Sequence, residues 1–167
     1  YCENLIIHFA KTFALDYVIL RYFNAAGSDH KSNIGELRDP ETHLIPKLSE
    51  QMLKNKTIDV YGDQYDTADG TCVRDFIHVN DIAIAHKICV RYILQKNINK
   101  IYNLGTGKGY SVFEIVKLYQ KTLNRSPKVR IAKKRGRDPE KLVADPSMFK
   151  KEFNWKPVHS NIKNIIE

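Results

Sequence analysis

Apolar and polar positions along this chain follow two periods. At its head, Leu5, Ile6, Phe9, Ala10 and Phe13 recur at intervals of three and four, a spacing that puts side chains on one helical face, so residues 1–14 are expected to form a helix. The pattern is already running at the first residue, without the Ser, Thr, Asp or Asn that usually opens a helix, and the chain is expected to begin inside one. Tyr17 to Phe23 is a continuous run dominated by β-branched and aromatic residues, the pattern of a strand covered on both faces in a parallel sheet. It stops at Asn24-Ala25-Ala26-Gly27-Ser28. Residues 28–41 are polar and read as a loop. From about Thr42 to Lys54 a second helix is expected, with Pro46 in its first turn and a stripe of Leu44, Leu48, Met52 and Leu53.

The stretch from Asp59 to Asp81 organises the middle of the chain. Ile58, Val60 and Tyr61 end an apolar segment, a loop carries Gly62, Asp63, Asp66, Asp69 and Gly70, and order returns at Thr71 before Val73-Arg74-Asp75 and Phe76-Ile77-His78-Val79. A loop of this length between ordered apolar segments points to function. Asp81 to Gln95 follows as a helix with Ile82, Ala85, Ile88, Cys89, Tyr92 and Ile93 on one face and Asn80 as its cap. Ile101 to Leu104 reads as a short buried strand. The turn Gly105-Thr106-Gly107-Lys108-Gly109 leads into a helix opened by a capping box, Ser111 with Glu114. A glycine-rich turn between strand and helix invites a phosphate reading. The spacing matches neither nucleotide fingerprint, and a structural turn is the expectation. Lys128 to Ala132 and Leu142 to Ala144 are expected strands. Asp145-Pro146 opens a short helix with Met148 and Phe149, and Ser160 caps a last one carrying Ile162, Ile165 and Ile166.

Composition narrows the function classes. At 167 residues the chain can bury a core as one domain. No apolar run approaches the roughly 18 residues of a membrane span, and the first residues show no signal peptide. Three cysteines without C-x-x-C spacing argue against a disulfide framework and for a reducing cytoplasm. Six histidines without ligand spacing predict no metal site. A net charge of +8 suggests an anionic partner, with much of the excess between Lys128 and Lys141; other lysines, such as Lys54, Lys56, Lys96, Lys117 and Lys121, look like solvated helix positions. The basic segment lacks interleaved aromatics and any recognisable nucleic-acid module, so nucleic acid is not the expected anion. Ligands of open α/β sheets bind beyond the carboxyl ends of strands, which makes Phe23 and Asn24 site candidates; a strand cap and turn serve equally well for that stretch alone. Taken alone, Arg74 could pair with Asp75 or Asp81, Tyr61 could be core, and Arg135 could be one more solvated charge.

Four segments occurring in order, LRYFNAAGSD, HLIP, DVYGDQYDTADGTCVRDFIHVNDIA and IYNLGTGKGYSV, resemble the UDP-glucose 4-epimerases, extended members of the short-chain dehydrogenase/reductase superfamily. The resemblance covers essentially the whole chain and is most specific where GT-x-VRD-[FY]-IHV appears. It implies an α/β fold: the C-terminal part of an NAD(P)-binding Rossmann-like fold plus the small substrate-binding α/β subdomain, in one unit over residues 1–167. In that family NAD stays bound, a Tyr followed four residues later by Lys takes the proton from the sugar 4-hydroxyl, and hydride leaves and returns through a 4-keto sugar that turns over in between. The family's G-x-x-G-x-x-G loop is missing here. So is the Tyr-x-x-x-Lys pair that precedes sequence like YCENLIIHFAKTF; Tyr1 does not replace it, because Leu5 stands four residues on.

The chain therefore resembles the second half of such an enzyme, with no catalytic residue of its own and no epimerase activity in isolation. The implied partners are UDP-glucose and UDP-galactose, a separate N-terminal half and a second copy, since the family is homodimeric; membranes and nucleic acid are not implied. NAD is implied as the family cofactor, not held by this chain alone. By resemblance, Phe23 packs at the nicotinamide end of NAD, Asn24 bonds the substrate diphosphate or sugar, and His43 meets the phosphates. Asp59, Val60 and Tyr61 line the uracil, Arg74 and Arg135 hold the diphosphate, and Asp138 accepts from a ribose hydroxyl. Leu142 stands where the space for the sugar 2-substituent is gated, with N-acetylated sugars left open. The acidic turn from Asp63 to Gly70 reads as a spacer. Alternatives are another nucleotide-sugar enzyme, such as a 4,6-dehydratase or decarboxylase, or a noncatalytic remnant. The Tyr17–Phe23 strand is expected to leave apolar faces and a sheet edge open to association.

Overall fold

The structure, a computed structural model, describes residues 1–29, 31–95 and 98–166. Helix α1 (Cys2–Phe13) leads into β1 (Tyr17–Tyr22) and, after Phe23, β2 (Asn24–Ala26). Then come α2 (Leu44–Leu53), β3 (Ile58–Tyr61), β4 (Val73–His78), α3 (Val79–Ile93), β5 (Asn99–Leu104), β6 (Gly109–Ser111) and α4 (Val112–Leu123). The chain closes with β7 (Val129–Ala132), β8 (Lys141–Leu142), α5 (Ser147–Phe153) and α6 (Ile162–Ile166). Pairing is mostly parallel, as expected of an α/β fold whose strands are joined through helices. β1 lies along β5, from Tyr17 opposite Asn99 to Tyr22 opposite Leu104. β2 lies along β4, with Asn24 opposite Phe76, and β3 along β7, with Tyr61 opposite Ala132. β4 also takes β6 antiparallel and β8 parallel.

β4 divides two cores because successive side chains of a strand point to opposite faces. Phe76 packs with Ile45, Leu48, Ile58, Val60, Ile115 and Tyr119. Its neighbour Ile77 packs with Ile82, Tyr102, Leu104, Phe149 and Trp155. The Tyr119 hydroxyl donates to the Ile45 carbonyl at 3.1 Å, pinning α4 to the first turn of α2.

The turn after β5 is structural. Asp75, fully buried, accepts from the Thr106 and Gly107 N–H groups at 3.1 and 3.0 Å, the Thr106 hydroxyl at 2.5 Å and the Ala144 N–H at 3.3 Å. Gly105 is required there, because a Cβ would stand 2.5 Å from Ala144 Cβ and 2.6 Å from Asp75 Oδ2. The expected spacer from Asp63 to Gly70 is instead a brace: Asp69 accepts from the Thr71 N–H and hydroxyl at 2.9 and 2.7 Å and from the Ser111 hydroxyl, tying the loop to the capping box of α4.

Several expectations change. His78, not Asn80, caps α3, its Nδ1 accepting from the Asn80 N–H at 3.1 Å. Ser160 does not cap α6; its hydroxyl donates to Asp81 at 2.6 Å, and the Asn161 side chain takes the Lys163 N–H at 3.1 Å. Of the strand expected at Leu142 to Ala144 only Leu142 is paired, since β8 covers Lys141 and Leu142 and leaves out Val143 and Ala144. β1 is only partly covered, because it has one strand neighbour among the described residues. Lys96 lies outside the described residues.

Candidate functional site

A cavity of about 390 Å³ opens where the β1–β2 junction, the start of α2, the end of β3, the first half of β4 and the β7–β8 loop converge. Phe23, Asn24, His43, Asp59, Val60, Tyr61, Arg74, Arg135 and Asp138 all line it, so nine positions scattered over 116 residues of sequence share one wall. Leu142 is not among the lining residues; it sits on β8 beside Arg74, partly exposed.

The polar side chains of the lining are held by identifiable contacts. The Asn24 amide donates to the Asp75 carbonyl at 3.1 Å, fixing the junction against β4. His43 precedes α2; its Nδ1 lies 2.5 Å from Glu36 Oε1 and its Nε2 3.1 Å from Arg38 Nη1. A guanidinium only donates, so Nε2 accepts and Nδ1–H donates. Arg74 spans the Val73 carbonyl, at 2.8 Å, and the Asp138 carboxylate; neither Asp75 nor Asp81 is its partner. Asp81 is fully buried and accepts from the Val158 and His159 N–H groups and from Ser160. Both oxygens of Asp59 are taken by Arg130, at 2.7 and 3.0 Å, a bond that lowers the Asp59 pKa from its ordinary value. Arg135 lays its guanidinium 4.0 Å from the centre of the Tyr61 ring, a cation–π arrangement.

Lys47 and Cys72 also line the cavity and were not among the residues expected there from sequence. Lys47 stands one turn after His43 on α2, with its ammonium 5.8 Å from the Tyr61 ring centre. The i, i+4 spacing from His43 was the available signal. Cys72, between the brace and Arg74, also faces the cavity, and burial raises its thiol pKa, which makes it a poor nucleophile. Glu36, Glu41 and His43 bring ligand atoms within 4.8 Å of one another, but Glu36 is bonded to His43, and Glu41 to the Thr42 and His43 N–H groups at 2.7 Å. These internal partners satisfy the cluster. The Tyr-x-x-x-Lys spacing occurs once, at Tyr92 and Lys96. Tyr92 is not among the lining residues, and its hydroxyl donates to Glu152, a bond that raises its pKa, against what a base requires.

Three cations, Lys47, Arg74 and Arg135, and two carboxylates, Asp59 and Asp138, thus line one cavity with the Tyr61 ring, against which Lys47 and Arg135 lie. The arrangement suits an anionic ligand with a flat ring, because a guanidinium offers a planar fork to phosphate oxygens. None of the described helices is long and apolar enough to cross a membrane.

Comparison with known proteins shows the family and fold to which the chain is similar. The model of the NAD dependent epimerase/dehydratase family matches residues 1–105. The chain is 36% identical over 165 residues to a UDP-glucose 4-epimerase of Lactobacillus helveticus, covering 98% of this chain and 50% of that protein. Among solved structures, UDP-glucose 4-epimerase from Brucella ovis in complex with NAD superposes with a TM-score of 0.91 at 41% identity, covering 98% of this chain and 51% of that one. The Bifidobacterium longum enzyme in complex with NAD+ and UDP gives 0.88 at 35% identity, covering 98% and 49%. The α/β fold is therefore Rossmann-like, and the chain spans about half the length of the relatives it matches.

Proposed function

The chain belongs to the NAD dependent epimerase/dehydratase family, and from that premise we propose that its cavity is the nucleotide-sugar side of a UDP-glucose 4-epimerase, which interconverts UDP-glucose and UDP-galactose with NAD. The observation that carries this reading is the convergence of Tyr61, Arg74, Arg135 and Asp138 on one cavity. The uracil lies against Tyr61, and the diphosphate sits between Arg74 and Arg135, with His43 and Asn24 on its other side. Asp138 accepts from a ribose hydroxyl while it orients Arg74. Arg135, which stacks on Tyr61, leaves the ring for the phosphates. Leu142 stays outside the lining and limits the sugar only from β8.

NAD, when bound, supplies the hydride chemistry of such enzymes. The glycine-rich turn does not fit a dinucleotide pyrophosphate, because its Thr106 and Gly107 N–H groups are spent on Asp75. Phe23 alone is assigned to the cofactor, at the nicotinamide end, and no Tyr-x-x-x-Lys pair lines the cavity. The chain therefore binds nucleotide sugar and does not turn it over by itself. Calorimetric titration with UDP, run beside a UDP-galactose turnover assay on the same sample, tests this: binding without turnover is expected. Absence of UDP binding overturns the site; clear turnover overturns the division of labour.

A further inference from the structure

On the nucleotide-sugar reading, the polar groups at the Tyr61 end of the cavity have unequal freedom. Asp59 spends both oxygens on Arg130, and Arg135 lies on the Tyr61 ring. Lys47 lines the same cavity with its ammonium 5.8 Å from that ring centre. Among the described residues no carboxylate lies within ion-pair distance of it. Its backbone is fixed by α2, where the Lys47 N–H donates to the His43 carbonyl at 3.1 Å. Its four-carbon stem lets the head sweep the edge of whatever lies against Tyr61. We propose that Lys47 reads the base: its ammonium donates to the O4 carbonyl of the uracil and makes the site select keto over amino pyrimidines.

The selection follows from donor and acceptor inventories. An ammonium has three donors and no acceptor. Uracil presents O4 as an acceptor, whereas cytosine presents an amino group there, leaving donor against donor. A ring that only stacks accepts either base, so the edge contact carries the choice; a site that bonds a polar edge rejects the analogue lacking the partner. A phosphate contact alone would be blind to the base, which is the distinction the experiment uses.

The experiment is calorimetric titration of the chain with UDP and with CDP, for the unaltered protein, Lys47→Met and Lys47→Arg, with circular dichroism to confirm that each is folded. The unaltered chain is expected to bind UDP about tenfold tighter than CDP. Lys47→Met should weaken UDP about tenfold and CDP by less than twofold, collapsing the preference, and Lys47→Arg should keep most of it. Equal losses for both nucleotides would make Lys47 a phosphate contact and overturn the proposal, as would an unchanged ratio. If UDP binds the unaltered chain but the ratio does not respond to Lys47, only this role fails. If the unaltered chain binds neither nucleotide, the nucleotide-sugar reading fails with it.

Discussion

β1 and β4 read alike as apolar strands and end in different surroundings. β4 has β2 on one side and β6 and β8 on the other, and from Asp75 to His78 it is buried. β1 has only β5 among the described residues. Helix α1 beside it turns out Leu5, Ile6, Phe9 and Phe13, at 42%, 43%, 53% and 60% exposure. Hydrophobic period states which face a segment would bury; it does not state what buries it. The cavity lies where these two regimes meet, with Asn24 at the start of β2 donating to the carbonyl of Asp75 on β4.

The largest test of the contrast is on the buried side. Asp75→Ala would strand the donors of Thr106, Gly107 and Ala144 and is expected to cost at least ~3 kcal/mol, read by urea denaturation. Phe149→Ala, on the β5 side of the same core, should cost about 3–5 kcal/mol. A loss below ~1 kcal/mol in either would remove the distinction between the two regions.

A middle-sized effect is expected in acid. Burial raises the Asp69 pKa, but bonds from Ser111 and from Thr71 outweigh it, and the net shift is downward. A carboxylate whose folded pKa is depressed contributes stability that is present above its unfolded value, here about 3.8, and is lost as pH falls through the lower folded value. Denaturation midpoints should therefore drop below about pH 4, and Asp69→Asn should flatten that part of the profile. An identical acid profile for the variant would show that the brace does not depend on this charge.

The smallest effect is expected on α1. Phe9→Ser should change stability by no more than about 0.5 kcal/mol while reducing self-association in light scattering. A large destabilisation would show that the exposed stripe is packed in solution.

The elements were legible wherever local period and local chemistry agree. α4 announces itself through Ser111 and Glu114, whose reciprocal capping bonds form. Caps inside apolar runs were not legible: His78 closes a strand and opens a helix at once, and its competitor Asn80 is the commoner cap type. Ser160 was drawn away from α6 by the buried carboxylate of Asp81, a partner 79 residues distant. β6 went unseen because Gly109, Tyr110 and Ser111 are ordered by pairing with β4, not by propensity. In the site, the motif led to Arg74 and Tyr61, but nothing local shows that Arg135 rests on Tyr61 or that Arg74 meets Asp138, contacts made across 74 and 64 residues. Lys47 was hidden among ordinary helix lysines, set apart in sequence only by its place four residues after His43.

On this reading a uridine diphosphate occupies the cavity between Tyr61 and the two arginines. A crystal structure of the chain with UDP tests it most directly. The uracil is expected against Tyr61, with Arg135 moved off that ring to the diphosphate and Arg74 facing the same phosphates. UDP bound elsewhere, such as at the basic cleft of Lys56, Arg125 and Lys128, with Arg135 still stacked on Tyr61, would contradict it.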